Sequence, residues 1–199
     1  MLDVIWPSRC AGCGAWLGGL VCDRCAPTVP HRMPGPAGTS ALWVLSGYDA
    51  PLGAALRRAK YRPDRGVAVA LSERLASALS GIGRVDAVVP VPTPWTRRMR
   101  RGFSFPHLLA AAVSRRLEAP LLDALAISPG RKQASLGAVA RRENLARRIG
   151  TRMPAPGRVL LVDDVVTTGA TGEACARALL ADHTGEVWLA AICAAREEA

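Results

Sequence analysis

The chain has 199 residues, enough to bury a sizeable core as one domain with a small appendage, and its 50% hydrophobic and 21% charged residues exclude a disordered polyelectrolyte. Its longest apolar run, Val187–Ala195, is strand-sized and far below the roughly 18 residues of a membrane span, and the opening MLDVIWPSRC lacks the basic and long apolar regions of a secretory signal, so a cytoplasmic protein without a membrane span is expected. The formal charge of +10 comes from 26 basic against 16 acidic residues, and only Lys60 and Lys132 among the bases are lysines, an arginine excess that suits phosphate ligands or nucleic acid.

Cys10, Cys13, Cys22 and Cys25 form two CxxC pairs eight residues apart. In a cytosolic chain such knuckles present four thiolates to one tetrahedral Zn²⁺, with Gly12 and Gly14 permitting the tight turn at the first pair. Four sulfurs leave no open position, so the zinc is structural, and so little apolar material surrounds it that metal binding supplies the folding energy. Residues 1–36 therefore read as a zinc ribbon and a linker with prolines at 27, 30, 34 and 36, and residues 37–199 as the main domain. Cys175 and Cys193, on a later helix and strand, read as small core residues.

The main domain opens with a strand at Leu42–Tyr48 and a helix at Pro51–Lys60 with Pro51 in its first turn. A second helix, Gly66–Ser80, carries Val67, Ala70, Leu71, Leu75, Ala78 and Leu79 as its buried stripe. The strand Asp86–Val91 is stopped by Pro90, Pro92 and Pro94 in a loop carrying Arg97, Arg98, Arg100 and Arg101, flanked by Trp95, Phe103 and Phe105. Such charge density implies a nearby anion, either pyrophosphate gripped bidentately or a single-stranded nucleic acid with the aromatics stacking on bases. A helix at Ser104–Glu118 and an apolar strand at Pro120–Ile127 follow. Residues 130–158 then set eight bases against the single acid Glu143, with a helix predicted over 134–148 that orders around an anion.

Val159–Thr171, VLLVDDVVTTGAT, organises the rest. Val159–Val162 is apolar on both alternations, as a parallel strand covered on both faces should be. Asp163 and Asp164 stand at its carboxyl end, where open α/β sheets bind ligands. After Val165 and Val166, the residues Thr167, Thr168, Gly169, Ala170 and Thr171 bring hydroxyls and a flexible backbone to the first turn of a helix reaching Leu180, where free N–H groups and the helix dipole favour an anion. Carboxylates suit sugar hydroxyls or a hydrated Mg²⁺ and the loop suits phosphate, so a sugar phosphate uses both. The glycines are too few for a dinucleotide fingerprint, and no Gly-Lys-Ser/Thr ending marks a nucleoside triphosphate loop. A last strand, Gly185–Ala195, completes a repeated βα order, which predicts an α/β fold with a mainly parallel sheet and helices on both faces.

The DDVVTTGAT stretch closely resembles the phosphoribosyl pyrophosphate (PRPP) motif of type I phosphoribosyltransferases. The whole chain resembles the ComF (ComFC) family, amidophosphoribosyltransferase-like proteins associated with DNA uptake in natural competence. The resemblance is carried by the paired CxxC ribbon, Lys60 and Tyr61 after the first helix, Pro90–Pro92, Arg101-Gly102-Phe103, and Gln133, Leu136, Arg141 and Asn144 in the family's order. It departs at Ser104 and Phe105, where the family usually has Asn and Gln. The resemblance implies a type I phosphoribosyltransferase-like domain binding PRPP with Mg²⁺, in which Asp163 and Asp164 hold the ribose hydroxyls as the catalytic pair. It also implies that Val165–Thr171 wraps the 5′-phosphate and that Lys60, Arg97, Arg98, Arg100 and Arg101 contact pyrophosphate or nucleic acid. Three functions follow: phosphoribosyl transfer to an unread acceptor, an inactive adaptor that binds single-stranded DNA, or an interaction module for competence helicase or channel proteins with the ribbon as its handle.

Overall fold

Strand-forming runs alternate with helices along the chain, and in the computed structural model, which describes residues 9–16, 19–61, 64–129, 143 and 145–195, the principal strands assemble into one five-stranded sheet. The elements are β1 (His31–Met33), β2 (Ala41–Gly47), α1 (Pro51–Tyr61), α2 (Arg65–Ala78), β3 (Ala87–Pro90), α3 (Trp95–Arg101) and α4 (Phe105–Leu117). They are followed by β4 (Leu125–Ile127), β5 (Ile149–Thr151), β6 (Arg158–Val166), α5 (Ala170–Ala181) and β7 (Glu186–Ala194). The sheet order is β1-β2-β7-β6-β3, parallel from β2 to β3, with β1 added antiparallel at one edge.

The two most apolar strands take the protected positions. β6 and β7 lie inside the sheet and bury Val159–Val162 and Val187–Cys193 against helices on either side, apart from the half-buried Trp188. On one face Leu160, Val162, Ala190 and Ile192 pack with Leu45 against Leu52 and Leu56 of α1, Leu71 and Leu75 of α2, and Phe105 and Leu109 of α4. The opposite face sets Leu42, Val44, Leu161, Leu189 and Ala191 against Cys175 and Leu179 of α5. Each fully buried Leu or Phe of this kind contributes about 1.5–3 kcal/mol. Both Cys175 and Cys193 are core residues, as expected.

The ribbon is not a separate bead. Cys10, Val21, Cys22, Cys25 and Ala26 are buried in the same cluster as Leu52, Leu56 and Leu71. A Cβ on Gly12 would sit 2.8 Å from the Pro51 carbonyl oxygen, so only glycine lets the first knuckle touch the start of α1. Arg74 of α2 pairs with Asp23 and donates to the Val21 carbonyl at 2.9 Å.

Three expectations change, and a fourth falls mostly outside the described residues. The proline-rich stretch 27–36 contains β1, because His31–Met33 avoids its prolines and can pair with β2. Pro120–Ile127 is not one strand of the main sheet: Leu121 makes a single bridge to Val88, and Leu125–Ile127 turns away to pair with β5. The arginines at 97–101 lie on a helix rather than a loop, started after Pro94 and ended by Gly102 in the left-handed region at φ 76°. Of the helix predicted over 134–148, residues 145–148 are helical; residues 130–142 and 144, with Gln133, Leu136, Arg141 and Asn144, lie outside the described residues.

Candidate functional site

Adjacent strand residues point to opposite faces, and this separates the two carboxylates. Asp163 pairs across the sheet with Ala191, Ala191 with Val44, and Val44 with His31, so these four share one row on the α5 face. Asp164 faces α1, where Lys60 Nζ donates to its Oδ1 at 2.8 Å, the two side chains being only 10% and 11% exposed. Asp163 Oδ1 accepts the Asp164 backbone N–H at 2.7 Å. Burial and then the Asp164 charge push the Asp163 carboxyl up to about 7, against the opposing pull of the Asp164 N–H and the Lys60 charge. Near neutral pH the pair therefore carries less than its full formal charge, part of it already balanced by Lys60.

Beyond Val166 the chain leaves the sheet. Thr167 and Thr168 are exposed, and Gly169, at φ 72°, is the N-cap of α5 with no side-chain cap. Helix α5 thus begins at Ala170, so that Ala170 and Thr171 alone of the expected phosphate residues lie in its first turn. A helix of 12 residues whose N-cap brings no side-chain acceptor directs N–H groups and the positive end of its dipole outward, where an anion is stabilised. Glycine is required here twice over, since the left-handed backbone disfavours a side chain and a Cβ on Gly169 would lie 2.8 Å from the Pro36 Cβ. The loop opens on a cleft of about 1150 Å³ bounded by Val166–Gly169, the end of β2 with the turn at Tyr48–Pro51, and Asp23–Cys25 of the ribbon.

Helix α3 follows β3 at the same carboxyl edge of the sheet and buries none of its residues. Among the described residues Arg97, Arg98, Arg100 and Arg101 form no ion pair, and the Arg101 Nε is buried without a hydrogen-bond partner. Trp95 is 64% exposed beside them. Phe105, by contrast, is fully buried with the Phe103 ring 6.0 Å away, so it stacks on no external base. That accounts for an aromatic at position 105. Ser104 Oγ caps α4 by accepting the His107 N–H at 3.4 Å and lies 2.9 Å from Thr93 Oγ1, tying α4 to the loop after β3.

In the ribbon the four sulfurs of Cys10, Cys13, Cys22 and Cys25 lie within 4.8 Å of one another, with Cys10–Cys25 at 3.8 Å and Cys13–Cys22 at 3.7 Å. A tetrahedral zinc with Zn–S bonds of about 2.3 Å has sulfur–sulfur edges of about 3.8 Å, so the cluster fits such an ion. Burial works against charge on Cys10, but the N–H groups of Cys13, Cys22 and Gly12 outweigh it and bring the thiol down to about 6. Burial and the neighbouring thiols push Cys25 the other way, a conflict that a bound dication removes.

Sequence reasoning grouped Lys60 with the arginines and missed its carboxylate partner 104 residues away. The available signal was a lysine kept at the end of a helix in a chain that otherwise uses arginine. It also missed the ribbon's place beside the Thr167–Gly169 turn, for which the sequence carries no local signal.

No protein-family model matches the chain. It is similar to the DNA utilization protein YhgH of Escherichia coli O157:H7, 32% identical over 196 residues that cover 92% of this chain and 83% of the relative. Competence protein F of Haemophilus influenzae is 28% identical over 176 residues, 81% of this chain and 74% of that one. Among solved structures, the glutamine PRPP amidotransferase of B. subtilis aligns with a TM-score of 0.45 at 20% identity, over 63% of this chain and 26% of its own greater length.

Proposed function

Since the chain belongs to the ComF family, with YhgH and competence protein F among its relatives, we propose that it serves DNA uptake or utilisation as a cytoplasmic PRPP-binding protein of the phosphoribosyltransferase type. The observation that carries this reading is the turn of exposed Thr167 and Thr168 and half-buried Gly169, the N-cap of α5 with no side-chain cap, soon after Asp163 and Asp164. The loop Val165–Thr171 holds the 5′-phosphate. Asp163 and Asp164 hold the ribose hydroxyls, and Lys60, paired with Asp164 at 2.8 Å, holds that carboxylate in place rather than reaching for pyrophosphate. In the transfer, an acceptor lone pair forms a bond to C1 of the ribose while the C1–O bond breaks. Pyrophosphate leaves with that electron pair and the acceptor gives up a proton, so catalysis is positioning and charge stabilisation. Mg²⁺, bound with the pyrophosphate, supplies neutralisation of its charge. Arg97, Arg98, Arg100 and Arg101 face the same edge of the sheet and complete the clamp. Zinc on the four cysteines has a structural role.

Calorimetric titration of the zinc-loaded protein with PRPP and Mg²⁺ tests this. Asp163→Asn with Asp164→Asn should abolish PRPP binding and leave single-stranded DNA affinity equal or higher, because negative charge is removed; unchanged PRPP affinity would sink the reading.

A second reading is favoured by the unpaired arginines of α3 beside exposed Trp95: an inactive adaptor in which this helix binds single-stranded DNA, with competence helicase or channel proteins as partners. PRPP binding with no pyrophosphate release for any base offered would favour it.

A further inference from the structure

Resting on the phosphate-loop reading above, we infer that Pro36 is a positioning residue for the 5′-phosphate: its ring wedges the start of α5, so that the loop's N–H groups already face the anion before it arrives. The loop has little of its own to hold that shape. Gly169 sits in the left-handed region at φ 72°, and glycine has the most conformational freedom to lose when a turn is ordered. As the N-cap residue it also adds no side-chain bond to fix the turn.

The group that fixes the turn comes from the stretch between ribbon and main domain. The three nearest atoms that a Cβ on Gly169 would meet all belong to Pro36, the first at 2.8 Å, and a Cβ on Gly172 would lie 3.1 Å from the Pro36 Cγ. Positions three apart share one side of a helix start, so the two missing side chains leave a notch, and the pyrrolidine ring fills it. Gly172 also faces the sheet, where a Cβ would sit 2.8 Å from the Leu189 Cδ2, so the first turn of α5 is held between a strand and a strap. The strap stays on the helix beyond the notch, with Gly38 against Ala176 and Leu180.

A wedge transmits shape only if its own support is stiff. Before the strap, Met33 pairs with Leu42 in β1–β2, and after it the Ser40 N–H donates to the Val187 carbonyl at 2.9 Å, so both ends are tied to the sheet. Between them Pro34 and Pro36 have fixed φ, and the Pro36 carbonyl accepts from the Thr39 N–H at 3.0 Å and from the Thr39 Oγ1 at 2.7 Å. The connection to the ribbon thus serves the phosphate site. Holding the turn in advance raises affinity by removing the ordering cost from the binding step.

The test is calorimetric titration of the full zinc-loaded chain with ribose 5-phosphate, together with backbone amide NMR of residues 169–172. Pro36→Gly should weaken binding about tenfold, the size of the cost of ordering one loop residue, and Pro36→Ala, which keeps the Cβ over Gly169, about threefold to fivefold. In the free Pro36→Gly protein the amide resonances of residues 169–172 should leave their wild-type positions and return to them on saturation with ribose 5-phosphate, while those of β6 stay in place. A side chain that only adds stability would leave the free and saturated loop spectra alike. Should Pro36→Gly fail to fold, the same two readings on Pro36→Ala decide. Affinity within about twofold of wild type, or loop resonances unmoved in the free protein, would overturn the role of Pro36 and leave the phosphate loop standing. If wild-type protein does not bind ribose 5-phosphate, the loop reading itself falls and Pro36 has nothing to position.

Discussion

At the scale of single residues the consequential contact is Lys60 with Asp164. Both groups have lost most of their water, so removing one partner leaves the other charged and nearly buried. Lys60→Met should cost about 3 kcal/mol, read as a lower urea midpoint at unchanged slope, and Asp164→Leu in the same chain should restore most of it. A single substitution that costs under about 0.5 kcal/mol would show that the pair is solvated. Asp163 makes a pH prediction. Its carboxyl titrates higher in the folded protein than in the unfolded chain, so its stabilising contribution is complete below the unfolded value of 3.8 and is lost as pH rises through about 7. Between pH 4 and 8 the wild type should therefore lose more stability than Asp163→Asn, as measured by urea midpoints; parallel curves would mean that the carboxyl is not displaced upward.

At the scale of elements, α3 stands apart because none of its residues is buried, the Arg101 Nε alone being covered. A helix contributing no core contact can lose its charges without loss of stability. Arg97→Ala, Arg98→Ala and Arg100→Ala should each leave the melting temperature within about 2 °C, since single surface changes of this kind stay within about 0.5 kcal/mol. If all three arginines touch phosphates of a single strand, removing them together should lower the slope of log affinity against log salt by about 2, from roughly 0.7 for each contact. An unchanged slope would remove α3 from any nucleic-acid interface. The helical state of this segment was hidden in the sequence because the Pro90–Pro94 run and the charge density both read as loop. What made the helix possible is local: Pro94 precedes its first turn and Gly102 supplies the left-handed exit.

At the scale of the whole molecule, the ribbon and the sheet share one hydrophobic cluster. Chelation of zinc should therefore lower a single cooperative unfolding transition of the entire chain; an unchanged main transition beside a lost ribbon would show independent folding. Parallel β6 and β7, the helices α1, α2, α4 and α5, the sulfur cluster and the loop after Asp164 were legible in the sequence, because apolar periodicity, CxxC spacing and the acid-then-glycine punctuation are local signals carried by neighbouring residues. Strand order, which places the last strand in the centre, was not legible, because it is decided by which apolar faces find cover. Nor was the division between Asp163 and Asp164: their adjacency suggested one role, and the pleat sends one side chain toward the α5 face and the other to Lys60. The chain alone determined which chemical groups are present and roughly what holds each in a strand, turn or helix. Only tertiary packing decided which of them meet, since the Lys60–Asp164 pair and the wall that Asp23 adds to the cleft join residues far apart along the backbone, which no local pattern encodes.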